Sequence, residues 1–263
     1  MSLSVETYPT LREASQAIGD RARYIGGGTL LMRAVNYGDQ SFDRIVISRE
    51  IDRTVRNEGQ GVRIGAGATM ADVLASRDAA FLHPVARVIG GPAVRNMGTV
   101  GGNLFAASPF GDFATALLAL DATVQMADGQ NQPMESFLSG RDRARGLVVA
   151  VTAPRVSERE FRFAKISRVK PKGASMMAIA LWLRGSGRID EARIAFGTMG
   201  PTPLRANAAE QALRGRDLSE PGIAAALAVC CDGLQPADDP LATAWYRRAV
   251  APVHLKRLLL EIR

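Results

Sequence analysis

The sequence has few residues that carry chemistry unaided. It holds two histidines and two cysteines in 263 residues. Neither His83 nor His254 lies near a nucleophile with a third, orienting group, so a hydrolytic triad is unsupported. His83 precedes Pro84 and is expected to cap or pack, and His254 is expected to be structural. Cys230 and Cys231 are adjacent. Neighbours in sequence point apart and rarely bridge, and no Cys-x-x-Cys pair exists, so iron–sulfur or zinc ligation within this chain is not expected. Two small buried helix residues in a reducing compartment fit better. No His-x-x-x-His or carboxylate cluster suggests a catalytic metal. The Gly-x-x-x-x-Gly-Lys-Ser/Thr phosphate loop is absent, and Gly-x-Gly-x-x-Gly fails at its third position, where Leu31 stands. No apolar run approaches a membrane span, and residues 1–6 show no signal-peptide pattern.

What is present is ordinary in bulk. Hydrophobic residues make up 47% of the chain, enough for a real core in one large or two small domains. The formal charge of +7 invites a nucleic-acid reading. The arginines are scattered and no recognition motif accompanies them, so a basic face for an anionic cofactor or an acidic partner subunit explains the charge as well.

Periodicity predicts a helix over 11–19 capped by Thr10, a strand over 23–25, a helix over 29–35 and a strand over 43–47. These form a small α/β unit. A strand over 62–66 follows, then a helix over 70–76 capped by Thr69 with Asp72 in its first turn. Residues 112–120 are apolar on nearly every side, which predicts a buried helix. A hairpin at 123–126 turning at Asp128-Gly129 and a central strand over 147–153 close this part. The polar stretch 156–162 marks a boundary. Beyond it, 178–183 and 189–196 read as a hairpin around Gly185-Ser186-Gly187. Helices at 206–213, 223–234 and 243–261 complete an α+β pattern.

Two glycine clusters stand out. One is Gly26-Gly27-Gly28-Thr29, and the other runs Arg95-Asn96-Met97-Gly98-Thr99-Val100-Gly101-Gly102-Asn103 into Ser108-Pro109-Phe110-Gly111-Asp112. Bare backbone comes close to a ligand and offers N–H groups to phosphate oxygens. Thr99 and Asn103 add side-chain donors, and Asp112 adds an acceptor. On residue types alone, a shared diphosphate cradle and two ordinary tight turns read equally well. A chain with glycine-rich anion sites and no acid–base equipment suits a protein whose cofactor does the chemistry.

These residues carry a resemblance. The chain resembles, nearly end to end, the FAD-binding medium subunit of the molybdenum hydroxylases, of the xanthine dehydrogenase and carbon monoxide dehydrogenase flavoprotein type. Tyr24-Ile25-Gly26-Gly27-Gly28-Thr29-Leu30-Leu31 is similar to that family's first FAD motif, and residues 95–103 are close to its second. Ala107-Ser108-Pro109 with Asp112 resembles its adenosine-side segment, and Phe163-Ala164-Lys165-Ile166-Ser167-Arg168 the segment that supplies a lysine near the flavin. Phe196-Gly197-Thr198-Met199-Gly200-Pro201-Thr202-Pro203-Leu204-Arg205 resembles its C-terminal domain signature, and Trp245-Tyr246-Arg247-Arg248 its last helix.

The resemblance implies an α+β fold: a two-part FAD-binding domain of the vanillyl-alcohol oxidase (PCMH) type over 1–155, in subdomains of about 1–54 and 55–155, then a small α+β domain over 160–263. It implies that Ile25 belongs to the cofactor site and that Gly26, Gly27, Gly28 and Thr29 hold the pyrophosphate, with Leu30 and Leu31 lining the turn. Thr99, Gly101, Gly102 and Asn103 would form a second wall. Asp112 would accept hydrogen bonds from the adenosine half, or else simply cap a helix. Leu147 and Val148 would pack on the cofactor. Lys165 would lie at the flavin's pyrimidine edge, or else be a solvated surface lysine. The implied job is electron transfer: FAD on this chain, molybdopterin and [2Fe–2S] clusters only on partners, namely a large molybdopterin subunit and a small iron–sulfur subunit in a cytoplasmic dimer of heterotrimers. The acceptor would be NAD, a quinone or dioxygen. Alternatives are a free-standing FAD-dependent oxidoreductase and a non-catalytic assembly subunit that has lost FAD. Three departures from the family pattern stand. Leu30 occupies a position often polar or acidic, the loop Val169 to Ser175 lacks the usual acidic residue, and the chain has no room for an extra iron–sulfur insertion.

Overall fold

The structure, a computed structural model, describes residues 3–141, 146–169 and 173–261. Contacts divide the chain into two compact units, Met1–Ala106 with Ala122–Arg155, and Ala107–Asp121 with Val156–Arg263.

The first unit contains two sheets. In the smaller, β1 (Ser4–Tyr8), β2 (Ala22–Tyr24) and β3 (Arg44–Ser48) lie parallel in the order β1-β3-β2. Helix α1 (Leu11–Gln16) buries Leu11 and Ala14 with Ala22 and Val46. Thr10 starts it with a reciprocal cap: its Oγ1 accepts from the Glu13 N–H at 3.2 Å, and the Glu13 carboxylate accepts from the Thr10 N–H at 3.3 Å. Helix α2 (Leu31–Asn36) begins two residues later than the sequence predicts, because Gly28 takes φ +72° and no side chain caps the turn at Leu30.

The larger sheet is antiparallel throughout, in the order β4-β5-β8-β6-β7, from β4 (Val55–Glu58), β5 (Gly61–Gly65), β6 (Thr123–Met126), β7 (Asn131–Pro133) and β8 (Val148–Pro154). Gly129, at φ +92°, turns β6 into β7 as expected. Short helices accompany this sheet: α3 (Met70–Ala75), α4 (His83–Val88), α5 (Pro92–Met97), α6 (Val100–Leu104) and, later in the chain, α8 (Met134–Gly140). Thr69 and Asp72 form the expected cap of α3. His83 Nε2 lies 3.1 Å from the Val73 carbonyl and 3.0 Å from that of Ser76, so it closes the C-terminal end of α3. The glycine-rich stretch 95–103 is mostly helix, with only Gly98 and Thr99 extended between α5 and α6.

In the second unit, α7 (Asp112–Ala119) is buried at every position, as its all-round apolarity predicts. Residues 107–121 lie within the expected 1–155 domain. They cluster instead with the second unit, because α7 packs on β10 (Met177–Arg184) and β11 (Glu191–Gly197). A Cβ on Gly197 would stand 2.6 Å from Thr115 Oγ1, so glycine is what lets the helix approach. With β9 (Phe161–Ile166) and β12 (Leu204–Arg205), these strands form an antiparallel sheet in the order β12-β11-β10-β9. Met177, Ile179, Leu181 and Leu183 of β10 enter a core with α9 (Asn207–Leu213), α10 (Glu220–Ala228) and α11 (Ala244–Leu260). The strand is therefore buried on both faces and reads as a continuous apolar run. Arg247 is 1% exposed within this unit. Its guanidinium donates to the carbonyls of Met176, Ala237 and Ala242 and pairs with Asp239.

Candidate functional site

The first unit brings the two glycine clusters into contact. A Cβ on Gly27 would overlap the carbonyl oxygen of Met97, and one on Gly26 would lie 2.6 Å from Thr99 Oγ1. Only glycine permits that approach. The far side of the contact is pinned. The N–H of Met70 donates to the Gly98 carbonyl at 3.0 Å, and those of Val100 and Gly101 donate to Ala68 and Ala66 at 2.8 Å. Gly101 is buried, and a Cβ there would stand 2.9 Å from that of Ala66. Thr99 Oγ1 accepts from the Gly102 N–H at 3.1 Å and so starts α6.

These bonds leave one group of donors over. Among the described residues, the backbone N–H groups of Gly26, Gly27, Gly28 and Thr29 have no acceptor. Gly102 is exposed, and a Cβ there would meet only Thr99 Oγ1, at 3.0 Å. The result is a rigid, side-chain-free surface with successive amide donors, which is what a diphosphate needs. Thr29 lies beside Gly98, its Oγ1 3.7 Å from where a Cβ would be. Ile25 packs under Gly28, and Leu30 and Leu31 are half-buried at the start of α2. Asn103 is half-buried, and its N–H donates to the Thr99 carbonyl.

Two further residues that the resemblance places on the cofactor, Leu147 and Val148, are buried. Leu147 is 6% exposed in the core with Leu11, Ala14, Ala22 and Val46, and Val148 is 4% exposed.

The second unit joins two other residues that the resemblance assigned separately. Lys165 Nζ lies 2.9 Å from Asp112 Oδ2, and the Ser175 hydroxyl donates to Asp112 Oδ1 at 2.6 Å. Asp112 and Ser175 are buried, and the Lys165 side chain is 8% exposed, so Lys165 is not a solvated surface lysine. Asp112 sits in the first turn of α7, where its charge also suits the helix dipole. Sequence reasoning missed Ser175. The Val169 to Ser175 loop stood out only for lacking an acid, and its residues 170–172 lie outside the described residues. It also missed the Met97 carbonyl, a backbone group without any sequence signal.

Among the described residues no group of three or more potential ligands could hold a metal ion, and no helix is long and apolar enough to cross a membrane.

Comparison with known proteins adds to this geometry. Residues 3–156 match the family model of the FAD binding domain in molybdopterin dehydrogenase, and residues 162–262 that of the CO dehydrogenase flavoprotein C-terminal domain. The chain is 26% identical to the glyceraldehyde dehydrogenase medium chain of Sulfolobus acidocaldarius, over 96% of this chain and 95% of that one. It is 27% identical to the carbon monoxide dehydrogenase medium chain of Afipia carboxidovorans, over 91% and 88% respectively. A solved carbon monoxide dehydrogenase from Hydrogenophaga pseudoflava, which lacks the Mo-pyranopterin moiety of its molybdenum cofactor, superposes with a TM-score of 0.88 at 25% identity, covering 98% of this chain and 96% of that chain.

Proposed function

Since the chain belongs to the molybdopterin dehydrogenase family of FAD-binding subunits, we propose that it is the electron-transfer subunit of a multi-subunit molybdenum hydroxylase. It takes electrons from [2Fe–2S] clusters on a small partner subunit, after substrate is oxidised on a large molybdopterin subunit, and delivers them to NAD, a quinone or dioxygen. The assembly is a dimer of heterotrimers in the cytoplasm. Relatives named as medium chains of glyceraldehyde and carbon monoxide dehydrogenases support the partner arrangement.

The observation that carries this reading is the contact between Gly26-Gly27 and Met97–Thr99, with four amide donors left over beside it. The residues present fit a dinucleotide diphosphate. Successive backbone N–H groups bind its oxygens without a lysine or metal, and the absence of side chains at Gly26, Gly27 and Gly102 admits it closely. FAD supplies a group that takes up and releases electrons singly or in pairs.

This chain's residues bind and orient. The N–H groups of Gly26 to Thr29 hold the diphosphate. The bonds from Met70, Val100 and Gly101 keep the opposite wall from shifting when charge arrives. Thr99 fixes the Gly102 backbone, and Ile25, Leu30 and Leu31 keep water from the turn. In the second unit, Asp112 and Ser175 hold Lys165 in one rotamer, and its ammonium is the positive charge that this unit would offer to a reduced flavin.

The test is an absorption spectrum of the purified chain, with denaturation and identification of any released flavin. Oxidised flavin bands, with FAD recovered in the supernatant, support the reading. A colourless protein that takes up no added FAD overturns it in favour of an assembly subunit. Turnover of a substrate with no partner present overturns it in favour of a free-standing oxidoreductase.

A further inference from the structure

The chain's two cysteines stand just past the end of α10. Cys230 and Cys231 are both free thiols, with their sulfurs 3.9 Å apart. Cys230 is 1% exposed in the core between the sheet and helices α9 to α11, and Cys231 is half-buried at its margin. The Cys231 sulfur lies 3.8 Å from the Arg248 carbonyl of α11. One sulfur can meet a small solute at the surface. The other is shielded from everything except its neighbour.

We propose that Cys231 and Cys230 form a peroxide-reactive modification site, in which Cys231 is oxidised first and Cys230 resolves it to a reversible vicinal disulfide. The Cys231 thiol gives up its proton and the thiolate attacks hydrogen peroxide; the O–O bond breaks and hydroxide leaves, taking up that proton as water, which gives a sulfenic acid on Cys231. The Cys230 sulfur then attacks the Cys231 sulfur, the S–O bond breaks and a second water leaves. Two thiols are oxidised to one disulfide, and one hydrogen peroxide is reduced to two waters.

The surroundings divide the two roles. The hydrogen bond from Cys230 lowers the Cys231 thiol to about 7, against the upward push of burial, with Arg248 lowering it further and Asp232 opposing. The same bond, with burial, pushes the Cys230 thiol up. Thiolate character and access select Cys231 as attacker, and contact selects Cys230 as resolver. The product is easily reversed. Adjacent Cα atoms are about 3.8 Å apart, below the usual span of about 4.4–6.8 Å for a bridge, and a strained disulfide is readily reduced. The bond also forms where α10 meets α11, so oxidation is felt at that packing contact.

These are the only two cysteines in the chain, so the readout is unambiguous. Intact mass and thiol titration of the full chain, before and after hydrogen peroxide, give the test. The expected result is joint loss of both thiols, a mass lower by two hydrogens and full recovery with dithiothreitol. Cys230→Ser is expected to trap dimedone at Cys231, and Cys231→Ser to leave Cys230 reduced. The proposal is overturned if both wild-type thiols survive peroxide that oxidises free glutathione, or if the chains cross-link to one another instead. It is also overturned if wild-type Cys231 climbs to sulfinic acid as fast as in Cys230→Ser. The wild-type measurement needs no variant to fold.

Discussion

Asp112 holds the ammonium of Lys165 at 2.9 Å, and each side chain keeps only 8% of its exposure. A buried pair of this kind stabilises through mutual dependence. Removing one partner leaves the other charge unpaired, at a cost of about 3–5 kcal/mol. Lys165→Met is therefore expected to lower the urea midpoint steeply. Adding Asp112→Asn removes the stranded charge and keeps an acceptor for the Ser175 hydroxyl, so the double variant should lose less than the sum of the two single losses. Additive losses in denaturant titrations would mean that the two residues do not interact in solution.

Thr99 serves the glycine surface through one bond. Its Oγ1 accepts from the Gly102 N–H at 3.1 Å, while its side chain is buried against Gly26. Thr99→Val keeps the shape and deletes the acceptor, which at a helix start costs about 1 kcal/mol. Thr99→Ser keeps the acceptor and is expected to stay close to wild type. Thermal melts of both variants decide the matter: equal melting for Thr99→Val and wild type would show that the cap contributes nothing.

Much of this was legible from local rules. Thr10 and Thr69 announced their helices because capping is a matter of three or four neighbouring residues. The total burial of α7 was legible because the seven residues after Asp112 are apolar or small and leave no polar face. What local rules miss is pairing across distance. β1 was invisible because its more buried positions are Glu6 and Tyr8 while Val5 is exposed, so its strand shows no apolar alternation. Lys165 and Asp112 were assigned separate duties toward a cofactor, and nothing local to either predicts that they meet. The packing of Leu147 with Leu11 and Val46 is likewise a pairing across distance that nothing local to it encodes. The glycine clusters were legible as motifs, but their mutual contact depends on a Met97 carbonyl that no residue type encodes.

Asp239 gives the fold an acid-sensitive point. Burial pushes its carboxyl up, but N–H donors from Ala242 and Leu241 and the Arg247 guanidinium outweigh that and hold it below its ordinary value of 3.8. A carboxyl lowered on folding contributes stability that is present above the unfolded value and is lost as pH falls through the folded one. Asp239→Asn is expected to be weaker than wild type by about 1–2 kcal/mol at pH 7, as a partly exposed charged hydrogen bond is. The gap should close as the pH drops below about 4. Urea titrations across that range provide the check, and a gap that persists at low pH would assign the loss to packing instead.

Gly27 and Gly102 separate closure of the cradle from occupancy of it. At Gly27 a methyl group would overlap the Met97 carbonyl oxygen, so Gly27→Ala must push the two glycine segments apart. Overpacking of that kind costs about 1–3 kcal/mol and is expected to weaken both stability and FAD retention. Gly102 differs. It is exposed, it has an ordinary φ, and a Cβ there would meet only the Thr99 hydroxyl. Gly102→Leu asks only that hydroxyl to give by a few tenths of an ångström, so it should melt within about 1 kcal/mol of wild type in the absence of flavin, while its side chain covers the surface that the dinucleotide needs. The expected result is a folded, colourless protein with at least a tenfold loss of FAD affinity, about 1.4 kcal/mol or more. Apoprotein melts and FAD titrations on both variants make the comparison. Full flavin retention by Gly102→Leu would remove the second glycine cluster from the binding surface, leaving Gly26 to Thr29 as an anion turn acting alone.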